Sequence, residues 1–514
     1  CLGGEGFVRI GENQQVGLNP LHHDFEVARE ARGGETITIE ATVVPKGMFG
    51  THVYNPAVSR AHLTVPHDRV RALETDLRML IETATELKDH EAFPLFLDLV
   101  DAAYRELAPD WPTDTDIAQI RYVSGDADGG NTWSVGQGDY GKPGFEGNLP
   151  VMGLWHVPPP HEALEPLPDA ALAACDRARD VIAAGLARIK DRYPPIGKLT
   201  LTGHAHIDLA WLWPVAETRR KVRRTWSNML NFMDRYPDFT FNQSSAQAYK
   251  WMEEDDPELL ERIKERVAEG RWEPIGGSWT ESDGQNTGGE AYARQLFYGQ
   301  RYFEQTFGRR STVAWLPDVF GFSGGIPQLL LQAGLTGFFT TKLNWNENND
   351  FPFDLFWWEG NDGSKVLAHS FLNPNGGYNG HINPQDVHQT WNNFIGKRIQ
   401  DETLLAFGWG DGGGGPSEDM LQNYERIKDY PVLPRLRMGK VEEFYDSLTR
   451  EGLPTYVGEM YLELHRATLT TQALVKQLNR QAEHRLVEAE AFAALARQDA
   501  QGTLDAAWQD LLYN

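Results

Sequence analysis

The sequence predicts an α/β protein, with a parallel sheet and crossover helices at its centre, a β-rich segment before them and helices after them. Three observations carry this. Between Lys198 and about Val432, short apolar or β-branched runs alternate with amphipathic stretches, the pattern of parallel strands joined by helices. The run Glu35–Val44 (ETITIEATVV) is rich in β-branched residues and reads as a strand. The stretch Gln472–Asp499 is long, charged and periodic, as a bundle helix is.

In chain order, residues 1 to about 65 read as β. From His67 to about Leu107, the apolar positions Val70, Leu73, Leu77, Leu80, Ile81, Ala84 and Leu87 recur mostly at three- and four-residue steps, a helical period. Asp126 to Gly153 is rich in Gly and Asp and reads as a loop or long hairpin. A helix runs from about Pro168 to Asp191, and Tyr193-Pro194-Pro195 ends it. Strands follow at Leu199–Thr202, Phe239–Asn242, Thr312–Trp315, Gly337–Thr341 and Leu404–Phe407. Helices are expected over Glu217–Tyr236 and Pro257–Glu269 and from near Pro327. No internal repeat is visible.

The 514 residues suffice for several domains. Lys plus Arg number 48 against 73 Asp plus Glu, a net charge of −25. That field repels phosphates, so nucleic acid and anionic membrane are poor partners, whereas a neutral glycan is compatible. The acidity serves mainly solubility. Two cysteines, Cys1 and Cys175, make no disulfide framework and fit a reducing compartment such as the cytoplasm. Cys175, in the run AALAAC, reads as an ordinary buried thiol. No apolar run approaches the ~18 residues of a transmembrane helix, and no secretory signal is visible. The chain begins at Cys, and Asp510–Asn514 falls inside a helical pattern, so both ends look cut.

Four constellations carry chemistry. The first is Gly203-His204-Ala205-His206-Ile207-Asp208-Leu209-Ala210-Trp211. Side chains two apart on a strand share a side, so His206 and Asp208 project together, with His204 beside them. An imidazole and a carboxylate converging at a strand end begin a divalent-metal site. A lone His more often finds a polar core partner, but three ligand-type residues on one face shift that balance. His204 either ligates or hydrogen-bonds behind the site. Trp211 adds a flat apolar platform, which suits a sugar ring better than a phosphate. The second is Asp318, in WLPDVFGFSGGIPQLL, at a strand end in a turn bounded by Pro and Gly. It reads as metal ligand, nucleophile or both, or, more blandly, as a turn residue. Phe320 is either a sugar-facing ring or core.

The third is Asp411, followed by Gly412–Gly415. Four glycines let backbone approach a ligand and leave Asp411 unshielded. No Lys-Ser/Thr follows, so this is no phosphate loop; the alternative is a flexible loop with an incidental Asp. The fourth is His465, in ELHRATLTTQ before the long C-terminal helix. It either completes a four-ligand site with His206, Asp208 and Asp318 or caps the helix start. Two His and two carboxylates suit Zn²⁺, and Co²⁺ or Mn²⁺ is chemically acceptable. Asp318 and Asp411, both beside aromatics, follow the two-carboxylate logic of glycoside hydrolysis. A metal beside the nucleophile would bind ring hydroxyls.

His204–Trp211, Trp315–Leu330, Gly408–Pro416 and Glu463–Gln472, in this order, resemble the motifs of glycoside hydrolase family 38 α-mannosidases, nearest the bacterial, vacuolar and cytosolic branch. Four separate motifs agree in order, type and approximate spacing, over most of the chain. The resemblance implies a (β/α)7-type barrel catalytic domain at 197–440. Before it come a β-rich N-terminal domain with helices at 1–110 and a connecting loop and helical segment at 111–196. After it comes the start of a three-helix bundle at 441–514, with the family's C-terminal β domains absent from this chain. It implies a retaining exo-α-mannosidase that removes terminal non-reducing α-D-mannose from a glycan or oligosaccharide with one divalent ion, first of all Zn²⁺. His206, Asp208, Asp318 and His465 match the metal ligands, Asp318 also the nucleophile, Asp411 the general acid/base, and Trp211 and Phe320 the aromatics on the sugar. Lys342 matches a basic position where Golgi-type members use Arg. Glu281 and Asp283, in SWTESD, match substrate-contacting positions. Assembly as a homo-oligomer, common in bacterial relatives, is a further expectation. Two other readings stand beside this one. One is a metal-dependent amidohydrolase or deacetylase acting on carbohydrate, with the ion activating water. The other is a non-catalytic glycan-binding protein. The second carboxylate, Asp411, argues against both.

Overall fold

The computed structural model describes residues 5–11, 14–50, 63–111, 167–370, 373–374 and 377–513. The Gly- and Asp-rich stretch expected to form a loop at 126–153 lies outside the described residues. The chain divides into two compact units, one chiefly Pro45–Pro194 and the other chiefly Gly4–Val44 with Pro195–Asn514.

The smaller unit is helical: α1 (Asp68–Glu86), α2 (Phe93–Leu107) and α3 (Asp169–Arg192). The apolar periodicity seen from His67 to Leu107 is thus two helices, and Pro94 opens the second, where its missing N–H is harmless. Gly185 lets α3 approach α2, because a Cβ there would lie 2.3 Å from Leu99 Cδ1. Cys175 is buried as a free thiol in this core.

Among the described residues, the larger unit holds all the strands. β1 (Glu5–Ile10), β2 (Gln14–Leu18) and β3 (Ile39–Val44) form an antiparallel sheet in the order β2-β1-β3. Then follow β4 (Lys198–His204), α4 (Val215–Arg235), β5 (Phe241–Gln243), α5 (Ala246–Asp255), α6 (Pro257–Ala268), β6 (Trp272–Pro274), α7 (Gly289–Phe307), β7 (Val313–Trp315), α8 (Ile326–Gln332) and β8 (Gly337–Phe339). The rest is β9 (Leu355–Glu359), β10 (Lys365–His369), α9 (Pro384–Asn393), β11 (Glu402–Phe407), α10 (Glu418–Ile427), β12 (Arg435–Met438), α11 (Val441–Ser447), β13 (Thr455–Val457), α12 (Ala473–Leu495) and α13 (Gln501–Leu511).

One five-stranded sheet, β11-β4-β5-β6 with β12 also on β4, is parallel throughout. The other, β13-β9-β10-β8-β7, is mixed, because β9 and β10 pair antiparallel. The expected all-parallel sheet is corrected here. Gly360–Ser364 turns the chain back at once, with Gly363 at φ 86° and Gly360 N donating to Ser364 O, and so short a link makes a hairpin, never a crossover. Gly276 N donates to Val313 O at 3.1 Å, and His369 Nε2 meets Thr403 Oγ1 at 3.0 Å.

Helix starts follow local chemistry. Asp256 caps α6 by accepting from Leu259 N, with Pro257 in the first turn. At the centre of the core, fully buried Trp226 lies 4.5 Å from the Tyr249 ring and 5.5 Å from that of Trp272. Trp226→Ala is expected to cost ~3–5 kcal/mol of unfolding free energy through lost burial and the cavity left behind; denaturant titration measures it, and a loss below about 1 kcal/mol would refute the packing argument. At the C-terminus, α13 docks through buried Trp508, whose Nε1 donates to Glu490. Leu474, Val475, Leu478, Val487, Phe492 and Leu495 of α12 are exposed. Among the described residues no helix is long and apolar enough to cross a membrane.

Candidate active site

β4 ends at His204, so His206 and Asp208 stand in the loop beyond it and converge by loop geometry, not strand alternation. β7 ends at Trp315, and Asp318 follows in the next turn. His206 Nε2 lies 3.3 Å from Asp208 Oδ1 and 3.3 Å from Asp318 Oδ2. One ligand atom from each of the three falls within 4.8 Å of the others, the metal-capable group among the described residues. The spacing fits an ion: donors on one tetrahedral centre with bonds of ~2.0–2.1 Å sit roughly 3.3 Å apart. In the protein alone, burial opposes charge on His206, but Asp208 and Asp318 outweigh it and raise its pKa well above the ordinary value. A cation is therefore favoured at this point, either a proton or a metal.

His204 does not join the group. It is fully buried, its Nδ1 lies 2.9 Å from Asn242 Oδ1, and its ring meets Trp315 edge-on. Burial, aided by His206, pushes its pKa down to about 3, so it is neutral.

Lys342, just beyond β8, places Nζ 2.7 Å from Asp318 Oδ1. Its ammonium is buried among rings, 3.2 Å from the Trp345 centroid, 5.1 Å from Tyr378 and 5.4 Å from Phe320, a cation–π cage that holds it in place. Burial would raise the Asp318 pKa, but His206 and Lys342 together hold it far below the usual carboxylate range. Asp318 is thus ionised and oriented.

Asp411 stands in a closed turn beyond β11. Trp409 and Gly415 exchange backbone hydrogen bonds, and Gly412, Gly413 and Gly415 lie at φ 81°, 72° and 68°. That left-handed backbone explains the glycine run, since side chains rarely adopt it. The Asp411 carboxylate accepts from Tyr378 OH at 2.9 Å, and Asn379 Nδ2 is 3.5 Å away. Burial raises its pKa; Asp318 and Asp208 add to this, and the opposing Tyr378 hydrogen bond and His206 do not cancel it.

Glu281 sits behind His206, its Oε2 3.8 Å from Nδ1, and accepts a hydrogen bond from Ser244. Burial pushes its pKa up to about 7. Asp283 is exposed and closes a turn, accepting from Gln285 N and Asn286 N. Trp211 is 45% exposed and meets Trp213 edge-on. His465 is exposed, at φ 53°, with its ring edge-on to Phe320 at 4.8 Å, and lies outside the three-residue group. The structure therefore brings together His206, Asp208, Asp318, Lys342, Glu281 and Asp411, and leaves Trp211, Asp283 and His465 further out. Sequence reasoning missed Tyr378, Asn379, Trp345 and Ser244. A signal existed for the first two, since Gly377-Tyr378-Asn379-Gly380 is another glycine-bounded run in the sequence.

Residues 197–459, just over half of the chain, match the family described as "Glycosyl hydrolases family 38 N-terminal domain". Among curated proteins, the chain is 41% identical over 316 residues to "Alpha-mannosidase G" of Dictyostelium discoideum, covering 60% of this chain and 29% of that protein. It is 43% identical to "Alpha-mannosidase" of Saccharomyces cerevisiae and 42% identical to "Alpha-mannosidase 2C1" of Homo sapiens, each over 57% of this chain and 28% of the relative. The matches thus span under a third of the length of these relatives.

Proposed function

The chain belongs to glycosyl hydrolase family 38, and from that premise we propose that it is a retaining exo-α-mannosidase acting on terminal non-reducing α-D-mannose of a glycan or oligosaccharide. The observation that carries the reading is the opposite treatment of two carboxylates: Asp318 is held ionised, while Asp411 is pushed toward its protonated form. A nucleophile and a general acid require this division. Three relatives bear the name alpha-mannosidase, which supports mannose as the sugar.

In the first step Asp318 attacks the anomeric carbon, and Asp411 gives its proton to the departing glycosidic oxygen. In the second, Asp411 takes a proton from water, which displaces Asp318 and restores the α-configuration. Lys342 keeps the Asp318 carboxylate aimed, and Tyr378 does the same for Asp411. Trp211 and Phe320 offer apolar faces to the sugar, Asp283 is an outer contact, and Glu281 works through His206 instead of on the sugar. A divalent ion, Zn²⁺ before Co²⁺ or Mn²⁺, would be held by His206, Asp208 and Asp318 and, when bound, supplies Lewis acidity toward the sugar hydroxyls. His465 is the proposed fourth ligand; its place beside Phe320, whose ring faces the Lys342 ammonium, supports this. The two larger sheets are read as arcs of one (β/α)7 barrel, supported by the Gly276–Val313 and His369–Thr403 hydrogen bonds. A cytoplasmic location belongs to the same proposal, supported by the sparse cysteines.

Metal analysis with turnover of aryl α-mannosides, before and after chelation, tests the reading on the full-length protein. About one divalent ion per chain is expected. Activity should disappear on chelation and return with added Zn²⁺, Co²⁺ or Mn²⁺, and Asp208→Asn should lose metal while keeping its fold. Turnover that survives complete metal removal would contradict the role given to His206 and Asp208.

A further inference from the structure

The turn that carries Asp411 is gripped from behind by a segment far away in the chain. Lys221 Nζ approaches Gly412 O at 3.4 Å, Thr225 Oγ1 donates to Gly413 O, and His22 Nε2 lies 2.9 Å from Pro416 O. Lys221 is itself held by Glu5 at 2.8 Å, and Glu5 also binds Arg224, which pairs with Glu217. All four charged side chains are at most 3% exposed. Buried ion networks are weak stabilisers, since desolvation consumes most of the attraction. An apolar core would hold α4 as well; what it would lack is a fixed N–H donor for the carbonyl next to Asp411. Glu5 and His22 belong to the β1–β2 hairpin and its exit, which is bound to α4 through Gly17 and Asn228 by two 2.9 Å hydrogen bonds.

We infer that this N-terminal hairpin positions the acid: Glu5, acting through Lys221, and His22, at Pro416, set where the Asp411 carboxyl stands. The inference rests on the acid/base role proposed for Asp411. Glu5, Lys221 and His22 are positioning residues, and the sugar touches none of them.

The test uses full-length Lys221→Met, Glu5→Gln and His22→Gln and two substrates. Phenyl α-mannoside needs a proton on its leaving oxygen, and 2,4-dinitrophenyl α-mannoside does not. A misplaced acid should lower kcat/KM on the phenyl substrate about ten- to a hundredfold and on the dinitrophenyl substrate less than about threefold, so the ratio of the two moves. General loosening would lower both alike. Glu442→Gln, which breaks an ion pair with Arg309 at the opposite, N-terminal end of β7, should leave the ratio unchanged. If Lys221→Met fails to fold, His22→Gln, a neutral change at a separate contact, carries the test. Equal losses on both substrates in the folded hairpin variants, with Asp411→Asn still moving the ratio, overturn the positioning role alone. If Asp411→Asn leaves the ratio unmoved, the acid assignment itself falls and this inference falls with it.

Discussion

Asp318→Ala is expected to abolish turnover of aryl α-mannosides, with a loss of about 10⁴-fold or more in kcat, the scale seen when a covalent nucleophile is removed. In the proposed mechanism Asp318 contributes the attacking oxygen; in the structure it also contributes one of the three converging candidate ligand atoms and the counter-charge for buried Lys342. No neighbour replaces the first role: Asp208 is engaged with the same His206 nitrogen as Asp318, and Glu281 is turned to the far nitrogen of that ring. Alanine also strands a buried ammonium, which is destabilising by ~3–5 kcal/mol where a buried pair is broken. Asp318→Asn, nearly the same shape, separates the effects: it should fold better than the alanine variant and be as inactive. A fluorinated mannoside that accumulates the intermediate should label Asp318 in the parent protein. Label on another residue, or a product released first as the β-anomer, would end the retaining reading, and the absence of any covalent adduct would favour an ion-activated water instead.

Asp411→Asn should behave differently. The loss on phenyl α-mannoside is expected to be about 10²–10⁴-fold, the usual worth of general acid–base catalysis, and much smaller on a dinitrophenyl leaving group. The pH profile gives a second readout. Burial raises the Asp411 pKa, so the acid form persists above the usual carboxylate range. The parent enzyme should lose kcat/KM as pH rises through that raised value, because the proton to be donated is gone. In Asp411→Asn this alkaline limb should flatten. An unchanged limb in the variant would assign the titration to another group, and an equal loss on both substrates would deny Asp411 the acid role.

Much of the fold was legible because its strands are short and punctuated. β7 and β11 each run straight into a Gly- or Pro-bearing turn that holds Asp318 or Asp411, and β4 runs straight into the His- and Asp-bearing loop of His206; an apolar run that meets such residues is visible without coordinates. The helices α4 and α6 were expected over Glu217–Tyr236 and Pro257–Glu269, close to where they lie. The β9–β10 hairpin was missed because LFWWE and KVLAH are largely apolar runs whose residues do not alternate, and periodicity cannot give the direction of such a strand. Lys342 was marked only by family likeness, since a lysine next to a strand reads as solvated until Phe320, Trp345 and Tyr378 are folded around it. Glu5, Glu217, Lys221 and Arg224 were invisible for the same reason: four charges in two distant segments look like surface. Their burial is a property of the packed hairpin and helix, which no local pattern encodes.

The grip on the Asp411 turn also has a consequence for the order of events in refolding. Glu5 and Lys221 are 216 positions apart, and His22 and Pro416 are 394 apart. Such distant pairings form slowly, because a long loop must close before the contact rewards it. The proposed acid is therefore seated late in folding, once segments far apart in the chain have met. Refolding followed by two probes should separate these events, with core tryptophan fluorescence recovering ahead of hydrolysis of the phenyl substrate. Simultaneous recovery of both signals would mean that the hairpin docks as early as the core.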